Sequence, residues 1–542
     1  MSPRHLRALA PALFAGFLTA CSGGSGSGAA ALQPARLVIA QPQEPQSLDP
    51  LFLTGSNTAT IGPLIYSYLL TLDEGGRLQP DVAAAVPSVA NGGISRDGLT
   101  ITYHLRPGVR WQDGAKLTAR DVAFTYAAIV NPANNVPSRT GYDQIARVDA
   151  LDDATVRVRL RRRYAPILSS FLAPDQNYPI LPSHLLAKYR DLNQVPFNRE
   201  PIGSGPYRAA EWVRGDHLRL VRNDTYYRGA PAIREIELTF VSDSNTIVNQ
   251  LRTGEITADL VADPAHLAEY GAIARARVVR APLAGIGDLF FNVRDPDLAD
   301  VRVRRALVEG VDLPSVVRNA TKGAQTTGGA QRGLFGWGYD PSIAMPRTNA
   351  ADAARLLDAA GWHRRADGTR AKGGRPLSLQ FSFVTGNASA SAIGIQLQQQ
   401  LAALGVQLLL RSYAPAQFRA PAGSGGPLFG GTFQIAFLEI YTPSDADTQW
   451  YLGCAESPPA GFNLSRFCDG ATDRAETAGV ATYDIAARRR YSAIVQRRVA
   501  EQLPFIALWQ QNAVYVVPAN LRGFRPAAQS ALWNVGAWSL ER

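Results

Sequence analysis

The sequence predicts an α/β protein of more than one domain, and three observations carry that prediction. Its 542 residues exceed what a single hydrophobic core organises, so two or three domains are expected. Short strands of alternating apolar and polar residues take turns with capped helices along the whole chain, which is the α/β pattern. Composition is globular, at 46% apolar and 18% charged residues. Past the leader no stretch is long and apolar enough for a transmembrane helix.

Taken in order, the chain opens on a signal peptide, residues 1–20. Arg4 and Arg7 precede a short apolar run, Ala8 to Leu18, too short to span a bilayer as a mature helix. Leu18-Thr19-Ala20-Cys21 resembles a bacterial lipobox, with Cys21 as the acylated first residue; an ordinary signal peptide with an incidental Cys is the other reading. Residues 21–35 begin CSGGSGSGAAA and suit a flexible tether. Several acyl chains on one residue hold a protein firmly where one chain does not.

Arg36 to Ala40 (RLVIA) reads as a strand entering at a sheet edge. The loop after it, QPQEPQSLDPLFLTGSNTAT, is rich in residues that turn the chain and offer hydroxyls. A helix is expected over 61–70. From Thr100 to Arg106 alternation puts Ile101, Tyr103 and Leu105 on one face of a half-buried strand, which Pro107-Gly108 ends. Thr118 then caps a helix, with Asp121 three residues on as in a capping box and Leu117 placed to staple against Val122. Asn131-Pro132 closes that helix. Thr155 to Leu160, after the Asp152-Asp153 turn, is the second strand of a hairpin.

Gly203 and Gly205 before Pro206 read as a hinge or crossing strand, because small residues let the backbone bend and approach closely. No Lys-Ser/Thr follows them, so this is not a phosphate loop. Further helices are read over 301–311, 352–362, 396–404 and 485–501, two of them stopped by Gly361 and Gly405. FIALWQQNAVYVVP returns as strands.

The net charge of +10 comes from Arg, since the chain has only Lys116, Lys188, Lys322 and Lys372. The densest cluster, Arg488-Arg489-Arg490, lies beside an apolar stripe of Tyr491, Val495 and Val499 at helical spacing. That is the solvated face of a packed helix, so no nucleic-acid partner is expected. Cys454 and Cys468, the other two cysteines, suit a disulfide in an exported chain, worth about 3 kcal/mol for so short a loop. No metal site is expected: histidines 104, 184, 217, 266 and 363 offer no i,i+4 pair.

DGLTITYHLRPGVRWQDGAKLTARDVAFTY (97–126) resembles the signature region of the extracytoplasmic solute-binding proteins of family 5, the peptide-, oligopeptide- and nickel-binding components of ABC importers. GSGPYRAAEW (203–212) and the segments 222–260 and 288–317 extend the resemblance over nearly all of residues 36–530. It implies a two-lobed periplasmic-binding-protein-like fold (type II, with an extra domain) joined by a hinge. Lobe 1 would comprise 36–73, 200–285 and a return at 512–542, with the extra domain at 74–199 and lobe 2 at 286–511. The implied protein is a lipid-anchored monomer on the periplasmic or extracellular face of a bacterial membrane. It would capture a solute, a short peptide first, by hinge closure and deliver it to an importer's permease and ATPase. The resemblance implies neither enzymatic activity nor a cofactor. The same fold binding a non-peptide solute, a sensory or scaffold lipoprotein and a secreted hydrolase are the alternatives.

The residues themselves offer no nucleophile. There is no GxSxG elbow, and Gly423-Ser424-Gly425-Gly426 lies in a Gly/Pro loop. A peptide cleft needs other groups: a carboxylate for a cationic end, Arg or N–H groups for an anionic end, a strand edge and aromatic walls. FLEIYTPSDADTQW (437–450) resembles the family segment whose Asp holds a peptide's α-amino group. Here Tyr441 or Thr442 replaces that Asp, and Glu439 is either its substitute or a surface residue. Asp445 and Asp447 match the family's second pair and read first as turn and cap. Trp450 ends the segment and joins the candidates. Trp337 and Tyr339, in GLFGWGYD, wall a pocket or pack between domains, and Ser56 and Asn57 complete the set.

Overall fold

Two long antiparallel strands, Ala276–Phe291 and Phe505–Pro518, organise the molecule. The computed structural model describes residues 36–54, 56–325, 327 and 330–541, so Cys21 and its tether lie outside the described residues. Each long strand serves both lobes. Ala276–Pro282 pairs with Asn512–Pro518, whereas Ile286–Phe290 pairs with Phe505–Gln510, and the register shifts between Pro282 and Ile286. Val514 and Val516 belong to the hydrophobic core at one end, Leu289 and Ile506 to the core at the other.

A ten-stranded sheet results, in the order Gln407–Tyr413, Ser378–Val384, Ile435–Tyr441, Ala276–Phe291, Phe505–Pro518, Ala258–Ala262, Arg36–Gln41, Glu235–Phe240, His217–Arg222, Tyr207–Val213. Helices cover both faces of each half. Beyond the crossing, Val303, Leu357 and Leu397 pack on one face and Val495 and Val499 on the other. Before it, Ile247 and Leu251 cover one face, and the segments holding Ile101, Val122 and Phe171 cover the opposite one. The fold is therefore α/β and two-lobed.

Local signals in the sequence set several elements. Thr118 and Asp121 form the capping box of Ala119–Val130, the Thr118 N–H donating to Asp121 Oδ2 at 2.7 Å. Asp121 is 2% exposed and its other oxygen accepts from Ser183 N at 2.8 Å, so one carboxylate starts the helix and holds the segment beside it. Thr100–His104 pairs with Thr155–Leu160, whose other neighbour is Ile145–Ala150.

Other elements differ from the sequence reading. Arg36–Gln41 is central, not an edge, and pairs in parallel with both Ala258–Ala262 and Glu235–Phe240; burial of every residue from Leu37 to Gln41 suits a strand covered on both faces. The first helix is Ser56–Ile65, earlier than 61–70, and the Gly205 N–H takes the Ile65 carbonyl at 2.9 Å where it ends. The helix read over 396–404 is Ala388–Ala403, started by Asn387, which accepts from the Ala390 N–H. Its first turns, all Ala and Ser, carry no apolar period to announce them. Gly203 and Gly205 mark a close approach, not the crossing: a Cβ on Gly203 would lie 1.8 Å from the Ile65 oxygen. The Cys454–Cys468 disulfide is formed, closing a loop of sequence separation 14.

Candidate functional site

A cleft of about 560 Å³ opens where the crossing strands meet both lobes, a size suited to a small solute. Leu283, Ala284 and Gln511 come from the crossing strands, Glu439, Ile440 and Tyr441 from the end of Ile435–Tyr441, and Thr54 and Thr58 from the first loop and helix. Pro137, Ser138 and the run Asp175 to Tyr178 close it from the 74–199 segment, whose core is continuous with that of the first lobe. The Tyr178 hydroxyl donates to the Ser138 carbonyl at 2.8 Å, fixing that wall. Ala284 N donates to Ala528 O at 3.0 Å and Thr442 N to Ala284 O at 3.2 Å, so the strand turn at the crossing is held from two sides.

Opposite the crossing strands the lobes touch directly. Ser444 donates to Asp175 through its N–H at 2.9 Å and its hydroxyl at 2.7 Å. The Tyr164 hydroxyl donates to Asp447 Oδ2 at 3.3 Å, the Ala165 N–H to the Val480 carbonyl at 2.7 Å, and the Tyr483 hydroxyl to the Gly98 carbonyl at 3.3 Å. Burial pushes the Asp175 carboxyl up to about 6 despite the two Ser444 donors. Burial, reinforced by Asp445, pushes Asp447 up to about 6 as well.

These raised values have a definite sign. A carboxyl whose folded value lies above its unfolded value of about 3.9 keeps its proton longer in the folded state. Its stabilising effect is complete at low pH and is lost as pH rises towards the folded value. The stability of the wild type relative to Asp175→Asn is therefore expected to fall between pH 4 and pH 6, by up to about 3 kcal/mol, and to level off above. Urea unfolding at a series of pH values measures it, and a pH-independent difference would return the carboxyl to its ordinary range.

Of the residues read from the sequence, the cleft gathers Glu439 and Tyr441. Glu439 is exposed and has no ion-pair partner among the described residues. Tyr441 is 47% exposed. Asn57 sits beside Thr58 with its oxygen accepting from Gln41 Nε2 at 2.7 Å; the Ser56 side chain lies outside the described residues. Thr442 is 3% exposed. Trp450 packs on Phe462 and donates to the Asp447 carbonyl, Tyr339 packs in the core of the second lobe, and none of these three residues lines the cleft.

Asp445 is committed to Arg488, which donates to both its oxygens, one pair at 2.8 Å, while the guanidinium lies 4.9 Å from the Trp337 ring centre. Arg488 is thus a buried cation rather than a member of a solvated basic face; Arg489 and Arg490 are exposed as read. Sequence reading missed Asp175, Tyr178 and Gln511. Asp175 meets Ser444 across 269 residues, and only folding brings them together.

The Oligopeptide-binding protein AppA of Bacillus subtilis is 25% identical over 547 residues, spanning 97% of this chain and 96% of that protein. Protein XP55 of Streptomyces lividans is 32% identical over 384 residues, 70% of this chain and 67% of its own length. The structure of NikZ from Campylobacter jejuni in complex with Ni(L-His) matches 93% of this chain and 99% of that one, at a TM-score of 0.74 and 26% identity. AppA from Bacillus subtilis in complex with a nonapeptide shares the fold at a TM-score of 0.72 and 23% identity, over 94% of this chain and 100% of that one. AppA is named as an oligopeptide-binding protein, and the present chain is a binding protein, not an enzyme. The profile of the bacterial extracellular solute-binding proteins, family 5 Middle, matches residues 78–459, and the chain belongs to that family.

Proposed function

We propose that the chain captures a short peptide by closure of its lobes and delivers it to the permease and ATPase of an ABC importer, anchored to the membrane through Cys21. The observation that carries this reading is a free strand edge inside the cleft. Ile435–Tyr441 has Ala276–Phe291 along one side throughout, whereas Ser378–Val384 flanks the other only at Ile435 and Ala436. From Phe437 to Tyr441 the second edge faces no strand among the described residues, and its last three residues line the cleft. An extended peptide adds to such an edge through main-chain hydrogen bonds, which tolerate any side-chain sequence.

Relatives named for oligopeptides and for di- and tripeptides support the same ligand class. The domain limits read from the sequence suit closure about the two crossing strands, with lobe 1 and its extra domain (74–199) on one side and 286–511 on the other.

The charge of the cleft favours a second reading of the solute. Asp175 and Glu439 line it, and no Arg, Lys or His does among the described residues. A free peptide carboxylate would lack a cationic partner there, whereas an ammonium group would find carboxylates to pair with. A solute without a free carboxylate fits that balance.

Mass spectrometry of what denaturation releases from the purified chain tests both readings. Short peptides establish the first, and amines or blocked peptides the second. Sugars would sink both. With the solute known, Tyr441→Ala is expected to weaken binding about tenfold, near 1.4 kcal/mol, as for an aromatic wall residue. Titration calorimetry reads that loss, and unchanged affinity would remove Tyr441 from the site. Cys21→Ala is expected to move the protein from the membrane fraction to the soluble one.

A further inference from the structure

A second cavity, about 820 Å³ and larger than the cleft, lies beyond the Asp175–Ser444 contact. Asp175 lines the cleft and Ser444 lines this chamber, so the pair stands between them. One wall comes from the 74–199 segment on the first-lobe side and the other from the second lobe. Leu168 and Val89 face it from the first, Trp337 and Ile485 from the second. Val89 is 52% and Ile485 51% exposed. Two large aliphatic side chains left in water on opposite walls of one chamber mark a surface that gains by being covered.

The charges around these apolar walls are unbalanced. Arg96, Arg163 and Arg489 line the chamber. Arg96 and Arg489 are exposed and have no ion-pair or hydrogen-bond partner among the described residues. Arg163 donates its Nε to the Asp97 carbonyl at 2.6 Å; the Ser95 and Leu99 hydrogen bonds, and after them the Arg163 charge, hold the Asp97 carboxyl below the usual range. The acids nearby are already engaged. Asp445 holds Arg488, Asp484 accepts from the Ala487 N–H at 3.0 Å, and the Asp97 carboxylate accepts from Ser95 Oγ at 2.6 Å and the Leu99 N–H at 3.0 Å.

We propose that this chamber is a second binding site, for an apolar anion: an aliphatic or aromatic body that ends in a carboxylate. The body covers Val89, Ile485 and Leu168, and the carboxylate takes the paired N–H donors that guanidinium groups present. Its walls belong to both sides of the seam, so an occupant that touches both favours the closed arrangement over the open one. The solute cleft and this chamber then act on the same equilibrium from the two sides of the Asp175–Ser444 contact.

Titration calorimetry of the purified chain with dodecanoate, against dodecyltrimethylammonium as the cationic counterpart, tests the proposal below the micellar range of either probe. One dodecanoate per chain is expected, bound at least tenfold more tightly than the cation. Arg163→Glu with Arg489→Glu is expected to lower dodecanoate affinity at least tenfold, the thermal midpoint remaining within a few degrees. Leu168→Trp, which narrows the apolar part of the chamber and leaves its charges intact, is expected to lower dodecanoate affinity. Equal affinity for anion and cation, no saturation at one per chain, or wild-type affinity in the charge-reversed variant would each overturn the assignment. The charge-reversed variant changes exposed residues, so it remains decisive if Leu168→Trp does not fold.

Discussion

Arg488→Met is expected to destabilise the protein by about 3–5 kcal/mol, the cost of leaving a buried charge without its partner. Arg488 and Asp445 have side chains only 6% and 11% exposed. Around them lie Asp447, raised to about 6 by burial and Asp445, and Glu476, raised to about 8 by burial and then by Asp447. The guanidinium is the cation that makes this group of acids tolerable. Met keeps the aliphatic stem but removes the guanidinium and its contact with Trp337, so the double-variant cycle separates the charge effect from lost packing.

Urea unfolding of Arg488→Met, Asp445→Asn and the double variant gives the coupling. The double variant is expected to be more stable than Arg488→Met alone, because no unpaired carboxylate remains. The deficit of Arg488→Met is also expected to shrink in acid. Without the cation that lowers them, Asp447 and Glu476, already raised by burial, hold their protons still more readily, which restores stability as pH falls. A loss below 1 kcal/mol would mean that water already solvates the pair.

Gly203→Ala is expected to cost on the order of 3 kcal/mol, as overpacking against backbone does. The added Cβ would meet the Ile65 oxygen at 1.8 Å and the Ile65 carbonyl carbon at 2.8 Å. Gln112 holds this close approach, accepting from the Gly203 N–H at 3.0 Å and donating its own N–H to the Gly203 carbonyl at 2.9 Å. The segment therefore cannot retreat without breaking both bonds. Gly423→Ala, where a Cβ meets nothing within 4 Å, serves as the control and is expected within about 0.5 kcal/mol of the wild type. Equal midpoints for the two variants would show that the segment at Gly203 moves freely.

What the sequence announced and what it concealed follow from the range of the interactions concerned. The capping box of Thr118 and Asp121 lies within four residues, so it can be read directly. The same holds for Val156, Val158 and Leu160, whose alternation reflects one buried face. RLVIA carried its own correction: four consecutive apolar residues, Leu37 to Ala40, fit a strand covered on both sides better than an edge. The cleft was only half legible. Glu439 and Tyr441 stand in a segment that resembles the family's ligand-binding one. Asp175 sits in the unremarkable run APDQNYP, and its role appears only when Ser444 arrives from 269 residues away. Arg488 looked like the first of three solvated arginines because helical period alone cannot say which turn meets a buried acid.

The central place of Phe505–Pro518 has a consequence for the order in which the molecule can assemble. Its neighbours in the sheet, Ala276–Phe291 and Ala258–Ala262, are made more than two hundred residues earlier, and Arg36–Gln41, next in the sheet, is made first of all. A chain still lacking residues 505–518 exposes unpaired edges on both sides of the gap that strand will fill, an invitation to pair with another chain. Closing the sheet also requires loop closure over more than two hundred residues, which makes it an intrinsically slow event. Neither lobe can be completed from the N-terminal part of the chain alone, and the two must reach their final form together when the C-terminal strand docks.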